Sequence, residues 1–173
     1  MSAFDDKLRE LGGGYLPPAP QVELLYRIVV DCEAPINVGD TYHGSVRVIP
    51  IVGGRFEGPR MTGTVLSVGA DWNTGRLNDA GRRKVDTRYM LRTHDGAVIC
   101  LSTIGFSSRS PEVLAMREAG QKVDPALYSF KQHLFFETAH EDYEWLNSVV
   151  AFGIVMSKFK GGPGVIYDAY YLN

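Results

Sequence analysis

Carboxylates set beside aromatic rings are the residues of this chain best suited to moving protons. Asp71-Trp72 follows a flexible Gly69-Ala70. An acid next to a large ring at a strand start suits a pocket mouth, with the ring giving contact area and the carboxylate accepting a hydrogen bond. A turn aspartate beside a core tryptophan is the equal alternative. Phe135-Phe136-Glu137-Thr138 places a second acid inside an aromatic run. Facing inward, Glu137 would be desolvated and its pKa raised toward that of a general acid; facing outward, it is simply solvated. In Lys84–Thr93, period two sets Asp86, Arg88 and Met90 on one face and Thr87, Tyr89, Leu91 and Thr93 on the other. Spacing alone favours a solvent-facing Asp86–Arg88 pair. Turned into a lumen, the same pair would be costly unless satisfied and would mark a ligand site. Tyr143-Glu144-Trp145-Leu146-Asn147 sets an amide beside two aromatics, either to line a ligand or to plug one end of the fold.

Other chemistries find less support. The four histidines, His43, His94, His133 and His140, show no HxH or HxxxH spacing; His43, between Tyr42 and Gly44, is the acid–base candidate among them. Cys32 and Cys100 are far apart with no CxxC, so no cysteine-based zinc site is expected and both read as reduced thiols. Gly53-Gly54-Arg55-Phe56-Glu57-Gly58-Pro59-Arg60 is glycine-rich, yet GxxxxGK[ST] is missing, as are GxGxxG, GxSxG and HExxH. That run reads as a sharp corner between strands. Arg82-Arg83-Lys84 reads as a solvated charge run. Neither a cofactor nor a metal is expected.

The elements that must hold these residues are strands. The 173 residues are 45% hydrophobic, 11% aromatic and 22% charged, which builds a folded domain and excludes disorder. Eighteen Lys+Arg against twenty Asp+Glu leave −2, so no basic surface for nucleic acid is expected. No apolar run reaches the ~18–20 residues of a membrane span. Met1–Glu10 is charged and lacks a signal-peptide core, which makes the cytoplasm the expected compartment, without a membrane partner. Val22–Asp31 alternates, with Val22, Leu24, Tyr26, Ile28 and Val30 on one face. Similar runs lie at Tyr42–Ile51, Met61–Val68, Lys84–Arg92, Val98–Gly105, Leu127–Thr138, Ser148–Met156 and Val165–Leu172. Turn chemistry separates them at Asn37–Asp40, Gly53-Gly54, Asn73–Gly75, Asn78–Gly81, Asp95-Gly96 and Gly161–Gly164. Helix is expected over Pro111–Ala119, where Ser110 caps and Gly120 stops it, and as a short turn over His140–Asn147. Ser2–Leu11 reads as a loose helical turn in an arm, residues 1–21, before a domain of residues 22–173. About eight antiparallel strands make a sandwich or a barrel, and the expectation is an all-β, up-and-down barrel. Val149–Met156 is apolar on both faces, so its outer face is expected to be covered, by default in a homodimer.

The run Gly53–Arg60, then Gly63-Thr64-Val65-Leu66 and Gly69-Ala70-Asp71-Trp72, resembles the signature of an uncharacterised family, domain of unknown function three-two-three-seven. Asp86-Thr87-Arg88-Tyr89, Thr93-His94-Asp95-Gly96-Ala97, Phe136-Glu137-Thr138 and Tyr143–Asn147 follow the same pattern in order, from about Val22 to Leu172. The chain departs from it at Leu66-Ser67-Val68 and at Ser102-Thr103-Ile104. The resemblance implies a lipocalin-like or allene-oxide-cyclase-like β-barrel and names no reaction.

Two functions compete. One is a cofactor-free isomerase, cyclase or lyase acting on a small, largely apolar molecule, such as a secondary metabolite, held in the barrel cavity. For it, Asp71 and Glu137 are the acid–base candidates and Arg88 the anion clamp, while Trp72, Tyr89, Trp145, Asn147 and His43 bind or shape. The other is a non-catalytic, lipocalin-like binding protein whose inward charges are all paired. Arg88 and Tyr89, being adjacent on a strand, cannot both face inward without a bulge.

Overall fold

Alternation of apolar and polar residues, interrupted where glycine permits a bulge, sets what this chain builds. The computed structural model describes residues 3–76, 79–158 and 161–173. Helix α1 (Ala3–Leu11) precedes strands β1 (Val22–Cys32), β2 (Ile36–Thr41), β3 (Gly44–Glu57), β4 (Thr62–Arg76), β5 (Asp79–Thr93) and β6 (Val98–Ser108). Helix α2 (Pro111–Glu118) leads to β7 (Ser129–Glu137), β8 (Ala151–Ser157) and β9 (Gly164–Leu172), with 3-10 turns at Pro125–Leu127 and Glu141–Ser148. Neighbours are antiparallel in the order β1-β9-β8-β7-β6-β5-β4-β3-β2, and β1 also pairs with β3. That last pairing closes the sheet, so eight strands form a barrel wall without a free edge. The ninth, β2, carries on where β1 stops: β1 runs against residues 51–57 of β3 and β2 against residues 44–48. Among the described residues no helix is long and apolar enough to cross a membrane.

Several stretches that read as turns lie inside strands. Gly53-Gly54 sits within β3 and Asn73–Gly75 within β4, while Asp79–Gly81 opens β5 and Asn37–Asp40 belongs to β2; Asn78 lies outside the described residues, as does Ser2. The strands absorb these residues as register shifts, for instance between Pro50 and Gly54 and between Val65 and Gly69. Gly69 shows the need: its φ is +110°, and a Cβ there would collide with the Arg88 carbonyl. The segment expected to form a helical turn near residue 141 is a 3-10 turn, whereas α2 starts as its sequence requires, with the Ser110 Oγ accepting from the Val113 N–H at 3.3 Å.

One half of the barrel is packed solid. Tyr26, Ile28, Phe56, Met61, Leu91, Ile99, Leu101 and Leu134 are buried there, and Tyr143 and Leu146 of the 3-10 turn seal the end. Full burial of each such side chain stabilises by ~1.5–3 kcal/mol, so this half supplies most of the hydrophobic driving force. The Tyr143 hydroxyl donates to Asp95 at 2.9 Å, tying the seal to the β5–β6 hairpin. On the outside, Ile104, His133, Phe152 and Tyr170 align in register across β6 to β9.

Candidate active site

In the other half the inward positions turn polar and shorter, and the side chains no longer meet across the barrel. They enclose a cavity of about 330 Å³, within the ~300–1,000 Å³ range of small-molecule sites. Its floor is a tyrosine pair: the hydroxyls of Tyr89 on β5 and Tyr167 on β9 lie 2.5 Å apart, and the Tyr26 ring packs 6.3 Å from that of Tyr167. Burial drives the Tyr167 phenol up to about 12 and the Tyr26 and Tyr89 phenols well above their usual value. All three stay neutral at physiological pH, able to donate or accept hydrogen bonds. Gly153 keeps room beside this floor, since a Cβ there would stand 3.1 Å from the Gln132 Cγ and 3.2 Å from the Tyr167 ring.

The inner wall presents the Asp71 carboxylate. Beyond the bulge at Gly69, alternation along β4 turns Asp71 and Asn73 inward and Trp72 outward. Asp71 Oδ1 accepts from the Asp86 N–H at 3.0 Å, and Oδ2 accepts from Asn73 Nδ2 at 3.1 Å. Asn73 Oδ1 in turn accepts from Arg47 Nε at 3.1 Å and from Arg83 Nε. One amide therefore relays two guanidiniums to one carboxylate. Desolvation outweighs these hydrogen bonds and the nearby Arg47 charge, and the Asp71 pKa rises above its usual 3.8. Burial first, and then the neighbouring Arg83, pull Arg47 down. Cys32 also lines the cavity; burial pushes its thiol up to about 11, so it is a protonated bystander and not a nucleophile. Among the described residues, no group of three or more His, Cys, Asp and Glu side chains is arranged to hold a metal ion.

Of the residues nominated from sequence, the structure brings Asp71 and Tyr89 together in this cavity. The others lie elsewhere. Arg88 is exposed on the outer face of β5, because Tyr89 takes the inward position beside it. The acid of the Arg88 face, Asp86, stands 3.7 Å from Lys84. Glu137 is exposed at the end of β7, opposite Cys100. Trp72 is 49% exposed outside the wall. Trp145 belongs to the sealed end, with the Arg60 guanidinium 3.6 Å above its ring. Asn147 braces that end: its Oδ1 accepts from the Thr138 N–H and its Nδ2 donates to the Thr138 carbonyl, both at 2.9 Å. His43 is exposed in the turn between β2 and β3. The expectation that Asp71, Arg88 and Glu137 share one cavity is therefore corrected for two of the three.

The sequence reading did not single out Arg47, Asn73, Thr103, Arg109 and Tyr167 for the site, although all line it. A signal existed for two of them. Asn73 is two residues from Asp71 and so shares its face, and Arg47 is the single charge in residues 45–51, a strand otherwise suited to a core.

A family model described as protein of unknown function (DUF3237) matches residues 20–172. A UPF0311 protein of Bradyrhizobium diazoefficiens is 34% identical over 155 residues, covering 90% of this chain and 98% of that one. A β-barrel-like protein of Acinetobacter baumannii, known from its crystal structure, is 43% identical, with a TM-score of 0.78 over 92% of this chain and 99% of that one. A hydroalkoxylation enzyme of Penicillium herquei is 26% identical over 141 residues, covering 81% of this chain and 77% of that protein.

Proposed function

Since this chain belongs to the DUF3237 family, we propose that it is an enzyme that isomerises or cyclises a small, largely apolar molecule by proton transfer inside the barrel. The observation that carries this reading is Asp71: a carboxyl on the wall of a ligand-sized cavity, its proton held more tightly than usual by desolvation. Such a group keeps its proton to higher pH than an ordinary aspartate, which suits it to general-acid work, an effect worth ~10²–10⁴ in rate. The kinship with a hydroalkoxylation enzyme supports the reaction class, addition of O–H across C=C, here within one molecule. In the fraction of molecules whose Asp71 carries its proton, the carboxyl gives that proton to an alkene carbon. The substrate hydroxyl oxygen bonds to the cation so formed, and the hydroxyl proton passes to the Asp71 carboxylate. The product is an isomer of the substrate, so the balance needs neither oxidant nor co-reactant. Tyr89 and Tyr167 would orient the hydroxyl, and the confining wall would hold the folded conformer that cyclises.

The test uses ortho-prenylphenol, whose protonation gives a tertiary cation and whose product is a cyclic ether of unchanged mass. The protein should form that ether faster than buffer does, and Asp71→Asn should not. Equal rates in the protein and the variant would remove Asp71 from the reaction. Binding of the probe without any ether would favour the lipocalin-like carrier.

A further inference from the structure

The charges around the cavity do not cancel. Arg47, Arg109, Arg117 and Lys158 line it, against Asp71 and Glu33. Lys158 is already paired with Asp31. Asp71 is engaged by the Asp86 N–H and by Asn73, and Glu33 is exposed at the break between β1 and β2. Three guanidiniums thus face a pocket that offers them little counter-charge. They come from separate elements: Arg47 from β3, Arg109 from the link between β6 and α2, and Arg117 from the last turn of α2.

Arg109 is the most committed of the three. Its guanidinium lies 5.2 Å over the Tyr128 ring and 5.7 Å over that of Phe130, and its Nη1 donates to the Ser107 Oγ at 3.0 Å. Its buried Nε has no partner in the protein. Burial and the nearby Arg117 bring its pKa down to about 10, which still leaves it charged at neutral pH. A second unsatisfied group lies deeper. The Thr103 hydroxyl is on the cavity wall, is 1% exposed and has no hydrogen-bond partner. Native proteins rarely leave such groups unpaired without a ligand or water to meet them.

We propose that the molecule taken by this cavity carries a carboxylate on an apolar body, with the anion held by Arg47, Arg109 and Arg117 and a polar substituent met by Thr103. The apolar body then lies along Val30, Ile51, Val85 and Phe130, above the tyrosine floor. This names the substrate class of the reaction proposed above and rests on that reading for its catalytic meaning. The clamp is not Arg88, which faces solvent, but residues that converge on the open end.

The experiment compares β-naphthoate with β-naphthamide, which share a ring system and differ in charge, by isothermal titration calorimetry on the full chain. The expected result is a preference of about tenfold or more for the anion, the size that one charge-assisted contact supports. Arg109→Met and Arg117→Met should each reduce that preference by about threefold or more. Arg117 is exposed on α2, so its variant keeps the test valid even if Arg109→Met weakens the fold. Equal affinities, binding of neither compound, or a preference that survives in the Arg109→Met/Arg117→Met double variant would each overturn the proposal. An anion preference without turnover of ortho-prenylphenol leaves this site standing and removes the reaction. Turnover without the preference does the reverse.

Discussion

Replacing Asp71 by asparagine swaps one oxygen for an NH2 group at nearly constant volume, and the hydrogen bonds around it say what should follow. The bond from the Asp86 N–H, 3.0 Å to Oδ1, survives because an amide oxygen still accepts. The bond from Asn73 Nδ2, 3.1 Å to Oδ2, does not, because two NH2 groups would face each other. Asn73 cannot turn its amide round, since its Oδ1 accepts from both Arg47 and Arg83. A lost hydrogen bond to a charged group costs about 1.5–3 kcal/mol. Against that, the variant no longer buries a carboxylate, the largest cause of the raised Asp71 pKa. The expected net loss at pH 7 is about 1 kcal/mol. The sign with pH follows from linkage. The folded state holds the Asp71 proton more tightly than the unfolded chain, so its contribution is full below the usual carboxylate value of 3.8 and is lost as pH rises through the raised folded value. The gap between protein and variant should therefore be widest in acid and narrow toward neutrality. Urea unfolding followed through tryptophan fluorescence, repeated from about pH 4 to pH 8, measures it. A loss of ~3 kcal/mol or more at pH 7 would mean that Asp71 is the counter-ion of a buried cation pair, and a gap that widens with pH would refute the assignment of its raised pKa.

Spectrophotometric titration should show three of the nine tyrosines, Tyr26, Tyr89 and Tyr167, ionising only as the barrel unfolds. Because their folded pKa values are raised, the stability they add is intact below pH ~10 and is lost above it; three phenols titrating normally in folded protein would contradict the tyrosine floor. Arg88→Ala and Glu137→Ala, both at exposed positions, should change stability by no more than ~0.5 kcal/mol and leave β-naphthoate binding unchanged in calorimetry. The outward row Ile104, His133, Phe152 and Tyr170, flanked by the exposed Phe106 and Phe135, predicts self-association. Light scattering at micromolar concentration should give the mass of a dimer, and Phe135→Lys should return a monomer.

The fold was legible because strand alternation is a local property and a barrel repeats it. Val22–Asp31 shows the point and its limit: Tyr26, Ile28 and Val30 fell on the buried face, but Val22 and Leu24, expected beside them, are exposed, and Leu25 of the opposite face is buried at the register shift between Leu24 and Tyr26. What alternation cannot supply is which face looks inward when both are mixed. In Lys84–Thr93 the charged face and the tyrosine face were told apart correctly, yet only the register with β4 and β6 turns Tyr89 into the lumen and Arg88 away from it. Glu137 misled because a carboxylate between aromatics looks desolvated, whereas the outward row on β6 to β9 is itself aromatic. Arg109 was beyond sequence reasoning altogether. It acts from a link between elements, and its place at the rim depends on where α2 packs.

The barrel divides along its axis into a packed chamber and an open one, and the two draw on different residues. Leu91, Ile99, Leu101 and Leu134 meet only each other's kind, whereas the rim takes Arg109, Arg117 and Lys158 from segments that stand outside the wall or at its last residues. A substitution at the rim changes what is admitted without disturbing the packing that keeps the chain folded. Lineages sharing this architecture can therefore exchange one guest molecule for another by small heritable steps, while the sealed chamber stays under unbroken selection for fit.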